Sequence, residues 1–165
     1  MRQKTCCFTG HRDLPIQEIP TITERTEQYI RGLIGKGVQY FGVGGAIGYD
    51  TLAAQILFKL RKTEHPGIKV ILVYPFEEYI NHWTSEQQRV YSQLLLEYDK
   101  KVCVATSPSK GAYLQRNRHL VNNSSYCISY CTKSIGGTAY TVKYAHSKGL
   151  TILNTADFSI DNILK

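Results

Sequence analysis

No stretch of this 165-residue chain holds the roughly 20 consecutive apolar residues that span a bilayer, so no membrane helix is expected. Met1-Arg2-Gln3-Lys4 leads straight into a strand-like run without the apolar stretch of a signal peptide, and the expected location is the cytoplasm. Metal-site spacings are missing too. Neither C-x-x-C nor H-E-x-x-H occurs. The five cysteines (Cys6, Cys7, Cys103, Cys127, Cys131) are an odd number and lie mostly in strand-like runs, where a thiol acts as a small buried hydrophobe. A P-loop lysine motif, a nucleophile elbow and the dinucleotide G-x-G-x-x-G spacing are all absent, which removes the usual sequence grounds for an NTPase, a serine hydrolase or an NAD enzyme. Internal repeats and low-complexity tracts are absent, and the length suits a single domain over 1–165 with a core of its own.

Acidic residues are scarce in the carboxyl part. Residues 1–99 hold 11 basic and 11 acidic side chains, whereas residues 100–165 hold nine and two, so the net charge of +7 belongs to the carboxyl part. A solvated basic surface is the plain reading and a nucleic-acid partner the sharper one. Arg116, Arg118 and His119 precede a Gly-Gly turn instead of forming a long stripe, which favours a small anionic ligand over a polymer.

What the chain does have is repeated punctuation. Short apolar runs stop at glycine-bearing turns and give way to helix-like segments: Lys4 to Phe8 before Thr9-Gly10-His11-Arg12, Gln39 to Val43 running into Gly44-Gly45-Ala46-Ile47-Gly48-Tyr49-Asp50, and Tyr126 to Tyr130 before Ile135-Gly136-Gly137-Thr138. Ile68 to Tyr74, Lys101 to Ala105 and Leu150 to Asn154 complete six strand candidates rich in β-branched, aromatic and cysteine residues. Between them lie amphipathic helical segments, the first behind a capping-box pattern at Thr21-x-x-Glu24 and the third behind Thr84-x-x-Gln87. Crossovers of helical length predict a three-layer, Rossmann-like α/β domain with a mainly parallel sheet of about six strands. In such a sheet the carboxyl ends of the strands share one edge, and glycine turns far apart in sequence converge on one crevice with helix-start N–H groups that favour anions. Pro75 to Trp83 is the longest irregular stretch; Trp83 reads as a packing anchor, with a pocket-lining role as the alternative.

Four blocks in order resemble a known superfamily: Thr9-Gly10-His11-Arg12 after a Cys-Cys-Phe strand, Gly44-Gly45-Ala46-x-Gly48-x-Asp50, Arg116-Asn117-Arg118-x-Leu120-Val121, and Gly136-Gly137-Thr138-x-x-Thr141-Val142-x-Tyr144-Ala145. Together they look like the YpsA-like branch of the SLOG superfamily, and the match covers nearly the whole chain. The resemblance implies a Rossmann-like fold, kinship with the LOG phosphoribohydrolases and the DNA-processing protein A family, and a nucleotide-like ligand.

Each block has a functional and a structural reading. Arg12 forks onto a phosphate or carboxylate of a ligand, or pairs with a carboxylate such as Asp50; His11 meets ligand or caps a helix. Gly44, Gly45 and Gly48 permit close backbone approach at a helix start. Asp50 either caps that helix or accepts hydrogen bonds from ribose hydroxyls, since a carboxylate and a phosphate would repel. Arg116 and His119, three apart on one helix, are expected to share a face toward the third glycine turn, with Asn117 holding the loop or touching ligand. The candidate binding set is Thr9, Gly10, His11, Arg12, Gly44, Gly45, Gly48, Asp50, Arg116, Asn117, Gly136, Gly137 and Thr138. A valine at Gly45 or Gly137 is expected to fill space meant for the ligand.

Catalysis has less support. The LOG enzymes carry P-G-G-x-G-T-x-x-E after the equivalent strand, whereas this chain has Ile135 for the proline, Ala139 for the later glycine, Tyr140 for the threonine and Lys143 for the glutamate. A lysine does not stabilise a developing oxocarbenium ion as a carboxylate does. The reading is a module that binds or senses a nucleotide or nucleotide-derived anion, with catalysis disfavoured, no metal, and no cofactor beyond a bound nucleotide. A nucleoside 5′-monophosphate phosphoribohydrolase-like enzyme and a single-stranded nucleic-acid binder are the alternatives, and self-association into a homo-oligomer stays open.

Overall fold

The computed structural model describes all 165 residues. Six strands, β1 (Thr5–Gly10), β2 (Tyr40–Val43), β3 (Lys69–Tyr74), β4 (Lys100–Cys103), β5 (Tyr126–Tyr130) and β6 (Thr151–Asn154), form one parallel sheet in the order β4-β3-β2-β1-β5-β6. The connections are α1 (Ile19–Gly35), α2 (Tyr49–Thr63), α3 (Ser85–Leu95), α4 (Lys110–Asn122) and α5 (Gly137–Ser147), with a short α6 (Ile160–Leu164) at the end.

Successive side chains of a strand point to opposite faces, and each face here has its own core. Cys6, Phe8, Val70 and Leu72 pack with Ile30, Leu33, Leu57 and Leu60 of α1 and α2; Cys7, Cys127 and Val73 pack with Leu120, Val121 and Ala145 of α4 and α5. The sheet is thus sandwiched between two helical layers. Strand order reverses at β1, whose neighbours are β2 on one side and β5 on the other, with Gly10 opposite Tyr130 at the carboxyl ends. Helices leave that point on both faces and open a crevice there.

Several boundaries differ from the sequence reading. β1 runs on to Gly10 because its ladder with β5 continues through Ser129 and Tyr130. β4 covers Lys100–Cys103, one residue earlier than its apolar run suggests, since β3 pairs with Lys100 and Lys101. The Thr21 capping box does not form: a 3-10 turn at Ile16–Glu18 feeds directly into α1 at Ile19, so Thr21 is already inside the first turn, with Pro20 placed where a missing N–H is harmless. The Thr84 box does form, with the Gln87 N–H donating to Thr84 Oγ1 (3.2 Å) and the Thr84 N–H to Gln87 Oε1 (3.0 Å). Cys6, Cys7, Cys127 and Cys131 are buried thiols and Cys103 is exposed. No helix is long and apolar enough to cross a membrane, and no three His, Cys, Asp or Glu side chains are grouped to hold a metal ion.

Candidate functional site

A cavity of about 270 Å³ opens at the carboxyl end of β1, between the amino-terminal ends of α2 and α5 and the inner side of α4. Thr9, Gly10, His11 and Arg12 form one wall and Asp50 another, with Arg116, Asn117, Gly137 and Thr138 completing the polar lining. Nine of the thirteen candidates therefore meet in one place. Residues from four separated segments converge because the strand carrying the first turn is the one at which sheet order reverses.

Two opposite charges sit almost out of solvent here. Asp50 is 8% exposed and Arg116 5%. One Asp50 oxygen accepts the Ala46 N–H at 3.2 Å. Arg116 donates from Nε to Asn117 Oδ1 at 2.7 Å and from Nη1 to the Gly44 carbonyl. The second Asp50 oxygen and Arg116 Nη2 have no protein partner. Burial raises the Asp50 pKa against the opposing pull of Arg116, the Ala46 N–H and Arg12. Burial likewise lowers that of Arg116 against the pull of Asp50. Both shifts favour the neutral form, because neither charge is fully compensated by the protein.

The two make no direct hydrogen bond with each other, and Gly44 lies against both. A Cβ on it would lie 2.8 Å from both Arg116 Nη1 and Asp50 Oδ2, so any side chain would push into the charged pair. Gly44 supports the site without lining it. Gly45, at φ +69°, faces away from the cavity: a Cβ would strike the Tyr79 hydroxyl at 2.4 Å and Leu72 at 2.6 Å, and that hydroxyl donates to the Gly45 carbonyl at 2.8 Å. The expectation that a valine at Gly45 would fill ligand space is therefore corrected to one of collision with Tyr79 and Leu72. Gly48 is pressed against the backbone of Arg12, and Gly136 makes the left-handed turn that starts α5; neither lines the cavity.

His119 also departs from expectation. Arg116 points inward, while His119, one helical step round, faces a different cavity at the other end of the sheet. Their joint face is split because α4 runs over β1 and β3 with a cavity at either end, and about 60° of rotation about its axis separates the two side chains. The His11 ring caps no helix, while its backbone carbonyl accepts the Tyr49 N–H at the start of α2 at 3.0 Å. Its Nε2 accepts the Thr132 N–H at 2.8 Å, and its ring meets Tyr130 edge-on at 5.6 Å, tying the first turn to the β5–α5 loop. Burial, then Lys133, lowers its pKa. Trp83 packs edge-on against Tyr79 and Tyr91, away from the crevice.

The sequence reading missed Tyr113. Two guanidinium groups lie over its ring, with Arg12 Cζ 5.6 Å and Arg116 Cζ 5.9 Å from its centre, and Phe76 meets it edge-on at 5.6 Å. An aromatic residue three positions before a buried arginine on one helix was the available signal. Opposite it, α5 begins at Gly137 and Thr138, which line the cavity, and its first N–H groups have no side-chain cap.

The sequence model of the YspA SLOG family (YpsA) matches residues 6–161. The chain belongs to that family. A UPF0398 protein of Halalkalibacterium halodurans is 29% identical over 133 residues, covering 79% of this chain and 70% of the relative. The uncharacterized SPbeta prophage-derived protein YoqJ of Bacillus subtilis is 30% identical over 129 residues, 70% of this chain and 75% of its own length. Among solved structures, DNA processing protein A from Helicobacter pylori, described for its single-stranded DNA binding mode, superposes with a TM-score of 0.62 at 16% identity. That likeness covers 91% of this SLOG chain but 64% of the length of DNA processing protein A, and at such identity it speaks for the Rossmann-like fold.

Proposed function

We propose that the crevice binds a nucleotide or nucleotide-derived anion of about one nucleotide unit, as a sensing or regulatory module. The observation that carries this reading is the pair of buried charges with free hydrogen-bonding atoms: Asp50 presents a carboxylate oxygen and Arg116 a guanidinium nitrogen to the same 270 Å³ cavity. A simple anion would be repelled by Asp50, and a simple cation by Arg116. A phosphorylated sugar satisfies both, its hydroxyls donating to Asp50 and its phosphate lying against Arg12, Arg116 and the start of α5. Tyr113 offers a face for a base.

Asp50 is the single carboxylate lining the cavity. Lys143, at the position of the LOG glutamate, folds back to donate to the Ser134 carbonyl at 2.8 Å and holds the β5–α5 loop. One acid without a second carboxylate to activate water favours binding over glycosidic cleavage. Titration calorimetry with a panel of nucleoside mono- and diphosphates tests the binding, and chromatography of the same mixtures tests for released base. Base release by the parent that disappears in Asp50→Asn would replace the binder with an enzyme.

One observation favours a second reading: DNA processing protein A, the structural neighbour, is described as binding single-stranded DNA. Together with the basic excess over residues 100–165, this supports an oligonucleotide as the larger ligand of the same crevice. Steep salt dependence of oligonucleotide binding, with mononucleotides ineffective as competitors, would establish it.

A further inference from the structure

The two faces of the sheet are unequally covered. α1, α2 and α3 serve one; α4 and α5, with short α6, serve the other. On this second face α4 lies over β1 and β3 and α5 over β1, β5 and β6. Gly42 sets the position of α4, since a Cβ there would come within 2.9 Å of Leu120 Cδ2. β4 and the outer flank of β3 are left without a helix, although parallel sheets are ordinarily covered on both sides.

A cavity of about 330 Å³ fills this corner, of a size typical for small-molecule pockets. Ile71, Val73 and Val102 make its floor and Leu120 a wall. The rim carries the cations Arg2, Lys69 and Lys100, with the His119 ring beside them. The one carboxylate on the rim, Asp99, is already committed: one oxygen accepts the Val70 N–H and Arg61 Nη1, each at 2.8 Å, and the other faces Lys69 at 3.9 Å. Lys100 is left without a carboxylate, and the His119 ring has no hydrogen-bond partner. Burial, then the Lys100 charge, lowers the His119 pKa, so the ring meets a ligand as a neutral N–H donor beside the Lys100 cation.

We propose that this cavity binds a small carboxylate with an apolar body, the body resting on Ile71 and Val102 and the carboxylate held between Lys100 and His119. Arg2 is held by the Ser124 and Lys148 carbonyls and Lys69 faces Asp99, which leaves Lys100 and His119 as the two unpaired donors above an apolar floor, an arrangement that fits an amphiphilic anion better than a purely polar or purely apolar molecule. The cavity lies at the amino ends of the strands, opposite the nucleotide crevice, so the two sites stand or fall separately.

Octanoate, octanol and octylammonium serve as matched probes, followed by methyl NMR shifts of Ile71, Val73 and Val102 in the full chain. Octanoate is expected to shift these methyls saturably, with octanol about tenfold weaker for want of one charge-assisted contact and octylammonium weaker still. Lys100→Glu is expected to remove that advantage while octanol binding, which reports the intact floor, stays as it was. Arg12→Ala, in the other crevice, is expected to change nothing here. Equal affinity for octanol and octanoate, shifts confined to residues around Tyr113, or octanoate binding untouched by Lys100→Glu would each overturn the proposal.

Discussion

The charged pair in the crevice costs the unliganded protein stability, and that cost is measurable. Asp50 and Arg116 are both more than nine-tenths buried, and burial drives both toward the neutral form. Replacing a buried pair with uncharged residues of similar size is commonly neutral or stabilising by about 1–4 kcal/mol. Losing the two Arg116 hydrogen bonds, to the Gly44 carbonyl and to Asn117 Oδ1, offsets about 2 kcal/mol. The double variant Asp50→Asn/Arg116→Met is therefore expected to lie between about 1 kcal/mol less and about 2 kcal/mol more stable than the parent without ligand, about −4 to +8 °C in Tm for a domain of this size. Arg116→Met alone is expected to go the other way by about 2–4 kcal/mol, because Asp50 stays buried with Arg12 as its remaining cation. Urea and thermal unfolding at pH 7 measure both. The pH dependence gives a second check: because the folded pKa of Asp50 lies above its ordinary 3.8, the folded state binds more protons than the unfolded one in that window. Its contribution to stability thus falls as pH rises from 3.8 through the folded value, and Asp50→Asn should abolish that fall. A double variant less stable than the parent by more than about 1 kcal/mol would refute the argument and make the pair a structural bond.

Arg12 is exposed and close to Tyr113, so Arg12→Ala should weaken nucleotide binding about tenfold in calorimetry while changing stability by less than about 0.5 kcal/mol. Valine at two glycines should separate fold from site: Gly45→Val collides with Tyr79 and Leu72 and lowers Tm, whereas Gly137→Val meets nothing within 4 Å, keeps the parental Tm and loses ligand. His11 accepts the Thr132 N–H and therefore must be neutral to hold the β5–α5 loop. With its folded pKa below the ordinary 6.5, its contribution is complete above 6.5 and is lost as pH falls through the lowered value, so Thr132 amide exchange should accelerate over that range in the parent but not in His11→Asn.

The sheet was legible because alternation and turn chemistry are local. Each strand ends where a glycine or polar turn begins, and helical crossovers leave few alternatives to a parallel sheet. The convergence of Thr9 to Arg12 with Gly137 and Thr138 was legible for the same reason, since parallel strands bring their turns to one edge. What the sequence could not tell was which way each residue of a turn faces. Gly44, Gly45 and Gly48 share one loop, yet Gly44 makes room for Asp50 and Arg116, Gly45 for Tyr79 and Leu72, and Gly48 for the backbone of Arg12. Apart from Asp50, those neighbours are distant in sequence, and a glycine carries no side chain to report its surroundings. Arg116 and His119 show the same limit on a helix: a spacing of three places residues on one side only when that side meets a single surface, and α4 straddles two. Tyr113 sits one turn before Arg116 and stacks with it inside the crevice, so the residue that gives the site its aromatic face becomes visible once the arginine is known to point inward.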